Sequence, residues 1–238
     1  MSKTVNRGYV PGDEREFFGE AVCRLRQAGS DLYELMNRGY PVKGASAFVG
    51  NHYLLSERQR LALVRAVSPE SSIRNRKQKE ITGALTGRTV HIDGFNTVIT
   101  LEVALSGSPL LRCMDGCIRD LAGLRGTYRL IDKTTPAIMR IGEALAAADV
   151  REAVFYLDAP VSNSGRLKAR ILELLEPFPF SVRAEVIHNV DAVLETQDCV
   201  ITGDAIILDR CRSWFALTRQ ILETGEGDYS FVDMHDIK

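Results

Sequence analysis

Apolar residues follow two different periods along this 238-residue chain, and the change falls near residue 88. After that point, short apolar runs typical of strands alternate with longer runs of helical spacing. The segment EAVFYLDAP is almost continuously apolar, as expected for a strand that is buried on both faces. This alternation predicts βαβ units, and therefore a mainly parallel sheet with helices on both faces.

The elements of this second part follow from the same pattern. The segments predicted as strands are RTVHID, SPLLRCMDG, EAVFYLDAP, VRAEVIH and DCVITGD. The segments predicted as helices are TVITLEVALSG, CIRDLAGLRG, TTPAIMRIGEALAAADV, SGRLKARILELLEPF, NVDAVLETQ and RCRSWFALTRQILETG. The third of these helices begins with a threonine cap and a proline in the first turn, both of which favour helix initiation.

The first part of the chain has a helical pattern without strand signals. Apolar residues near helical spacing predict a helix that Asp13 caps and that ends near Gly29. A second helix is predicted from Asp31 to about Asn37, and Gly39 in the segment NRGYP then breaks the pattern. These elements indicate a small helical unit.

A third helix of this unit is predicted after Ser56, because serine is a favourable N-cap residue. Leu61, Val64 and Val67 recur at helical spacing, which predicts that they form its buried face. Pro69 is predicted to end the helix, since proline cannot continue the hydrogen-bond ladder.

These patterns predict an all-helical N-terminal domain at residues 1–70, a basic linker at 71–87 and an α/β domain at 88–238. Charge follows the same division, because residues 1–87 hold 14 Lys and Arg against 9 Asp and Glu, and the remainder holds 16 against 22. The basic run with Arg74, Arg76 and Lys77 fits a solvated helix or loop. Its alternative role is a phosphate-binding edge for a polyanion.

Composition excludes several other classes of protein. The chain is 45% hydrophobic and 26% charged, which is ordinary globular usage. It contains no apolar run of the roughly 18–20 residues that span a membrane, and its N-terminus lacks the apolar stretch of a signal peptide. We therefore expect a cytoplasmic protein with no membrane partner. Its five cysteines are expected to be reduced, and Cys113 and Cys117 to be buried thiols rather than zinc ligands.

Aspartates follow most of the predicted strands. Asp93, Asp115, Asp158 and Asp204 each end a strand, and Asp191 begins the short helix after the remaining one. Ligands of open parallel sheets lie outside the carboxyl ends of the strands, so these side chains are predicted to share one edge. Each aspartate alone is also a common helix cap or turn former. Clustered carboxylates repel one another, and this favours binding of a divalent cation such as Mg²⁺ or Mn²⁺.

Three motifs resemble those of the NYN branch of the PIN-like nucleases. HIDGFNTVIT resembles the first motif, a strand followed by Asp-Gly-x-Asn, and VFYLDAP resembles the middle strand with its acidic end. HNVDAVLETQDCVITGDAIILDR resembles the closing block. The similarity covers residues 88–222 and implies a PIN-like three-layer α/β domain with a mainly parallel central sheet. It implies that the metal and substrate centre is formed by Asp93, Asn96, Asp158, Asp191 and Asp204.

Two segments depart from the NYN pattern. RCMDGCIRDLAG falls outside it, and the acidic residue at Asp158 is followed by the unmatched loop APVSNSGR. That loop predicts a phosphate site at a helix N-terminus, through Ser162, Ser164, Gly165 and Arg166. The alternative is that Ser164 is simply the N-cap of the helix.

The segments NRGYP, GNHYLLSERQR and SNSG together resemble an uncharacterised prokaryotic family, described only as a domain of unknown function, in which a helical unit precedes a PIN-like domain. That resemblance implies no activity.

The favoured hypothesis is a metal-dependent nuclease that acts on RNA. Asp93, Asp191 and Asp204 would hold Mg²⁺ or Mn²⁺, with Asp158 as a fourth ligand, and Asn96 would position a ligand, the attacking water or the phosphate. A metal-bound water would attack the phosphorus, and the basic helical unit and linker would hold the nucleic-acid backbone.

The sequence offers two alternatives to this hypothesis. One is a non-catalytic PIN-like protein that binds nucleotide or RNA. A phosphatase of the haloacid dehalogenase type is disfavoured, because that motif needs a second aspartate where Phe95 stands. The sequence leaves homo-oligomerisation open.

Overall fold

The computed structural model describes residues 5–123, 126–225 and 227–237. Its helices are α1 (Asp13–Phe17), α2 (Glu20–Asn37), α3 (Val42–His52), α4 (Glu57–Ala66), α5 (Glu70–Lys79), α6 (Gly94–Leu105), α7 (Thr134–Ala147), α8 (Ser164–Leu175), α9 (Val190–Leu194), α10 (Ala205–Arg210) and α11 (Leu217–Thr224). Its strands are β1 (Thr89–Asp93), β2 (Leu110–Arg112), β3 (Ile118–Asp120), β4 (Glu152–Asp158), β5 (Ser181–Ile187), β6 (Val200–Ile201) and β7 (Phe231–Asp233).

The main sheet has four parallel strands in the order β5-β4-β1-β6. The chain moves outward from β1 through β4 to β5 and then returns to the other side of β1 for β6. Such a reversal of strand order opens a crevice at the carboxyl ends of the strands. The predicted α/β class with a mainly parallel sheet is therefore confirmed. No described helix is long and apolar enough to cross a membrane.

A second sheet, in the order β3-β2-β7, differs from the prediction. The segment CIRDLAGLRG was predicted to be a helix, but its first half is β3, which pairs antiparallel with β2, and residues 124 and 125 lie outside the described residues. The two strands form a hairpin whose turn contains Gly116 at a φ of 83°, a conformation that glycine adopts without strain. Asp115 lies in this turn, so the prediction that it shares the edge of the main sheet is wrong.

The helical unit also differs in detail. Helix α2 continues through Gly29, where a break was predicted. A Cβ at this position would clash with Ile237 and lie close to Met234, so the glycine serves close packing and does not end the helix. Helix α3 follows Pro41 and was not predicted.

Helix α4 confirms the predicted start and corrects the predicted face. Ser56 and Gln59 form a reciprocal capping box at its N-terminus. The predicted apolar face is wrong, because Leu61 and Val64 are 40% and 43% exposed. The buried side consists of the neighbouring positions Ala62, Leu63 and Ala66.

The hydrophobic core of the helical unit extends into the second sheet. Phe17, Leu32 and Leu63 belong to the same buried cluster as Leu111 of β2 and Val232 of β7. The division of the chain into three domains remains a prediction, and this continuous core shows where its first and last parts are in contact.

The segment RCRSWFALTRQILETG, predicted as a single helix, is helical only from Leu217. Before it, Trp214 lies fully buried between β6 and the end of α5, and its indole Nε1 donates to the carbonyl oxygen of Arg76 at 2.7 Å. The backbone here bridges to Glu80 and Val200, which fixes it in an extended conformation. Helix α10 and strand β7 were not predicted.

Candidate active site at the carboxyl edge of the main sheet

Asp93 ends β1 and is the N-cap of α6 at the centre of the crevice. Its Oδ1 accepts a hydrogen bond from the backbone N–H of Asn96 at 3.3 Å, and its Oδ2 accepts from Oγ1 of Thr202 at 2.8 Å. Burial, together with the charges of Asp204 and Asp158, raises the pKa of Asp93 to about 7 against the lowering effect of these hydrogen bonds. The carboxyl is therefore both a structural cap and a group that titrates near neutral pH.

Asn96 and Thr202 join β1 to the end of β6. The side-chain Oδ1 of Asn96 accepts from the backbone N–H of Gly203 at 2.7 Å. The hydroxyl of Thr202, which donates to Asp93, also accepts from the backbone N–H of Asp204 at 3.0 Å. The two strand ends are thus held together by side-chain hydrogen bonds.

Asp204 caps α10 in the same way as Asp93 caps α6. Its Oδ1 accepts from the backbone N–H groups of Ile206 and Ile207, at 2.7 and 3.2 Å. Both roles predicted for these residues, helix cap and site carboxylate, are compatible in this geometry because each carboxylate can accept further bonds.

Asp158 and Asp191 complete the predicted group of carboxylates. Asp158 ends β4 and is half-buried, whereas Asp191 lies on α9 and is more exposed. Loss of hydration raises the pKa of both, and each is raised further by a neighbouring carboxylate: Asp191 acts on Asp158, and Asp204 acts on Asp191. The four carboxylates are therefore close enough to repel one another at one edge of the sheet.

These side chains line a cleft of about 180 Å³. Of the residues predicted for the centre, Asp93, Asn96, Asp158 and Asp191 line it directly, and Asp204 lies beside it through its link to Thr202. Two further polar side chains in the lining, Arg65 and Asp120, were not predicted.

Asp120 reaches the cleft from β3. Its oxygens accept hydrogen bonds from Oγ1 of Thr100 at 2.7 Å and from the backbone N–H of Ala122 at 2.8 Å. A sequence signal for this strand existed, because Asp115-Gly116 between two apolar runs is typical of a hairpin. Arg65 belongs to α4, and its place in the cleft depends on how that helix packs, for which the sequence holds no local signal.

Comparison with known proteins identifies the family. The family Domain of unknown function (DUF5616) matches residues 82–220, more than half of the chain. The chain belongs to this family. A second family, Protein of unknown function (DUF434), matches residues 24–79.

The archaeal Uncharacterized protein MJ0935 of Methanocaldococcus jannaschii is 34% identical over 186 residues, which cover 77% of this chain and 88% of that protein. No solved structure matches the chain. The predicted membership of an uncharacterised family is confirmed.

In this DUF5616 chain the loop after Asp158 does not have the predicted form. Asn163, at a φ of 64°, is the N-cap residue of α8, so the prediction of a cap at Ser164 is wrong. Ser164 is 4% exposed, and its hydroxyl donates to the carbonyl oxygens of Asp158 and Val161 at 2.6 and 2.5 Å. The Ser164 hydroxyl therefore stabilises the end of β4 and is not available to bind a phosphate.

Ser162 in this loop and Arg166 in the first turn of α8 are both exposed. The hydroxyl of Ser162 accepts from the backbone N–H of Tyr128 at 3.2 Å. Neither residue is among the described residues that line the cleft.

The basic run at α5 is divided between two environments. Arg76 is 3% exposed and pairs with Asp115 and Asp209, both at 2.7 Å, so the prediction that it binds phosphate is wrong. Arg74 is exposed and pairs with Glu70, and Lys77 is exposed. Within the described ranges, none of the three lines the cleft.

The described carboxylates at this edge are candidate ligands for a divalent cation, but they do not form a ready metal site. Within residues 5–123, 126–225 and 227–237, no three carboxylate, histidine or cysteine side chains lie together so that they could hold a metal ion. Mg²⁺ does not need such a group of three, because it is commonly bound through one or two carboxylates plus waters and substrate phosphates. The mutual repulsion of the aspartates is the property that such a cation would relieve.

Burial raises the pKa of Cys113 to about 11, so this thiol is a poor zinc ligand.

Proposed function

We propose that this protein is a PIN-like, metal-dependent nuclease that acts on RNA. The observation that carries the proposal is the group of aspartates at the carboxyl edge of the parallel sheet, where burial and neighbouring carboxylates raise the pKa values of Asp93, Asp158 and Asp191. A crevice at a reversal of strand order is where open α/β sheets bind ligands. The NYN-like motifs supply the reaction class, and the four-stranded parallel sheet agrees with that fold at the level of α/β architecture.

In the proposed mechanism, Asp93, Asp191 and Asp204 would hold Mg²⁺ or Mn²⁺, with Asp158 as a fourth ligand. When bound, the ion lowers the pKa of a water and neutralises charge on the phosphodiester. In the absence of the ion the pKa of Asp93 is about 7, so binding of the cation would displace a proton from this carboxyl at neutral pH. Asn96 keeps β6 in place through Oδ1 and presents its Nδ2–H donors to substrate oxygens.

The central test is Mn²⁺-dependent cleavage of a labelled single-stranded RNA by the wild type and by Asp93→Asn and Asp204→Asn. Asparagine preserves a cap acceptor at both helices, so the fold should persist while cleavage falls by at least about 100-fold, as for loss of an essential electrostatic group. Asp132→Asn, at an exposed aspartate that does not line the cleft, is the matched control. Absence of wild-type cleavage on RNA and DNA substrates would refute the nuclease proposal.

A second measurement separates metal binding from catalysis. Free Mn²⁺ can be followed by electron paramagnetic resonance as protein is added, without any substrate. We expect the Asp93 and Asp204 variants to bind Mn²⁺ more weakly than the wild type and the Asp132 variant to bind it equally.

A non-catalytic RNA- or nucleotide-binding protein is the alternative. It is favoured by one observation, namely that no three of the described acidic, histidine or cysteine side chains lie together so that they could hold a metal ion. RNA binding that survives both aspartate substitutions, together with no cleavage by the wild type, would support this alternative.

A further inference from the structure

Arg65 brings a positive charge into the cleft from the helical unit. It lies on α4, and its side chain lines the same cleft as Asp93, Asp120, Asp158 and Asp191. Its Nε is buried and, within the described residues, has no hydrogen-bond partner. The guanidinium therefore has donor capacity that the folded chain does not use.

The position of Arg65 is fixed by Arg119, which joins α4 to the residues that follow β6. Arg119 is 3% exposed and donates to the carbonyl oxygen of Arg65 at 3.0 Å and to that of Gly203 at 2.5 Å. The N–H of Gly203 in turn donates to Asn96, the predicted substrate-positioning residue. One buried guanidinium thus sets the distance between α4 and the carboxylate edge.

Charge explains why a free guanidinium is useful at this place. A cleft lined by four carboxylates repels a phosphodiester, so a metal ion or a fixed cation must compensate. Arginine offers planar, bidentate donors that match phosphate oxygens better than lysine does. A simple counter-ion for the aspartates would pair with one of them, and within the described residues Arg65 forms no such ion pair.

We propose that Arg65 binds a phosphate of the nucleic-acid substrate, which makes the site a composite of the helical unit and the α/β part. This inference rests on the proposed function and adds a substrate contact to it. It assigns the phosphate-binding role to α4, whereas the sequence had suggested the basic run on α5.

The test measures binding of a fluorescein-labelled single-stranded RNA by anisotropy in EDTA, where cleavage cannot occur. Arg65→Gln is expected to weaken binding about 10-fold, the usual effect of losing one charged hydrogen bond. The slope of log affinity against log salt concentration should fall by about 0.7, the value for one phosphate contact on a single strand. Arg38→Gln, at an exposed arginine paired with Glu34, is the matched control.

Two further readouts exclude a merely structural effect. Mn²⁺ binding by the Arg65→Gln variant should equal that of the wild type or exceed it, because a positive charge near the ion has been removed. Arg65→Lys keeps the charge and should retain part of the RNA affinity and of the salt slope. A melting temperature equal to that of the wild type is expected for both variants.

The outcomes separate this inference from the proposed function. If the wild type binds and cleaves RNA, and Arg65→Gln has the same RNA affinity and salt slope as Arg38→Gln, the role of Arg65 is refuted. The nuclease proposal then stands. Loss of Mn²⁺ binding in Arg65→Gln would also refute it, because the residue would then support the metal site. If the wild type neither binds nor cleaves RNA, the proposed function fails and the inference fails with it.

Discussion

Asp93 combines two properties that favour opposite protonation states. As the cap of α6 it accepts hydrogen bonds that stabilise the carboxylate, whereas burial next to other aspartates stabilises the neutral acid. The raised pKa shows that burial prevails. The fold therefore carries an unfavourable charge at this position when the carboxyl is ionised.

Asp93→Asn is expected to stabilise the protein at pH 8 in the absence of divalent cations. The pKa rises from 3.8 to about 7 on folding, so the stabilisation that the proton contributes is complete below about pH 4 and is lost as the pH rises through about 7. The free energy of unfolding of the variant should exceed that of the wild type by about 2–4 kcal/mol at pH 8, and this difference should shrink toward pH 5. Urea unfolding at several pH values measures it. A difference that does not vary with pH would contradict the expectation.

Gly94, the residue after Asp93 in the first motif, is needed for close packing. A Cβ at this position would lie 2.6 Å from Cδ2 of Leu157 and 3.0 Å from the carbonyl oxygen of Tyr156, both on β4. Gly94→Ala should push α6 away from β4 and destabilise the fold by about 1–3 kcal/mol. Chemical denaturation tests this, and Gly44→Ala, whose added Cβ meets nothing within 4 Å, is the control.

At the scale of elements, the β2–β3 hairpin is attached to its neighbours by buried charges. Burial opposes ionisation of Asp115, but Arg119 and Arg76 hold its pKa at about 2. These two arginines come from β3 and α5, so the ion pairs connect the second sheet to the helix that follows the helical unit. Asp115 thus has a structural role, although it follows a predicted strand just as the cleft aspartates do.

Arg119→Met should leave the charge of Asp115 without its closest partner and destabilise the protein by about 3–5 kcal/mol. Thermal unfolding of this variant beside Arg38→Gln measures the effect. Since the pKa of Asp115 is lowered on folding, the wild-type contribution is present above about pH 4 and is lost as the pH falls through about 2. Equal melting temperatures for the two variants would show that the ion pairs contribute little.

The comparison of sequence and structure also belongs to the scale of elements. Long periodic segments such as α7 and α8, and the buried strand β4, could be predicted because their pattern reflects their own burial. The segment CIRD was misassigned because a three-residue strand has too few positions for a period to appear. Arg65 and Asp120 could not be placed in the site because their positions depend on the packing of α4 and β3 against other elements.

For the whole molecule, the shared core makes the helical unit and the second sheet depend on each other. Residues 82–237 expressed without the helical unit would expose Leu111, Met114 and Val232 to water. We expect this truncated chain to aggregate or to lack a cooperative thermal transition by calorimetry, whereas the full chain unfolds in one transition. Cooperative unfolding of the truncated chain with native-like melting would show that the α/β part is an independent domain.

The contact of Gly29 with Met234 and Ile237 has a consequence for biosynthesis. These partners are separated by most of the sequence, and α2 leaves the ribosome long before β7 has been made. The apolar side of the nascent helical unit thus stays uncovered while the α/β region is being translated. Nascent chains that depend on such long-range contacts fold slowly and expose apolar surface that is prone to aggregation. We therefore expect general chaperones to bind the early part of this polypeptide until β7 and the residues after it have been synthesised.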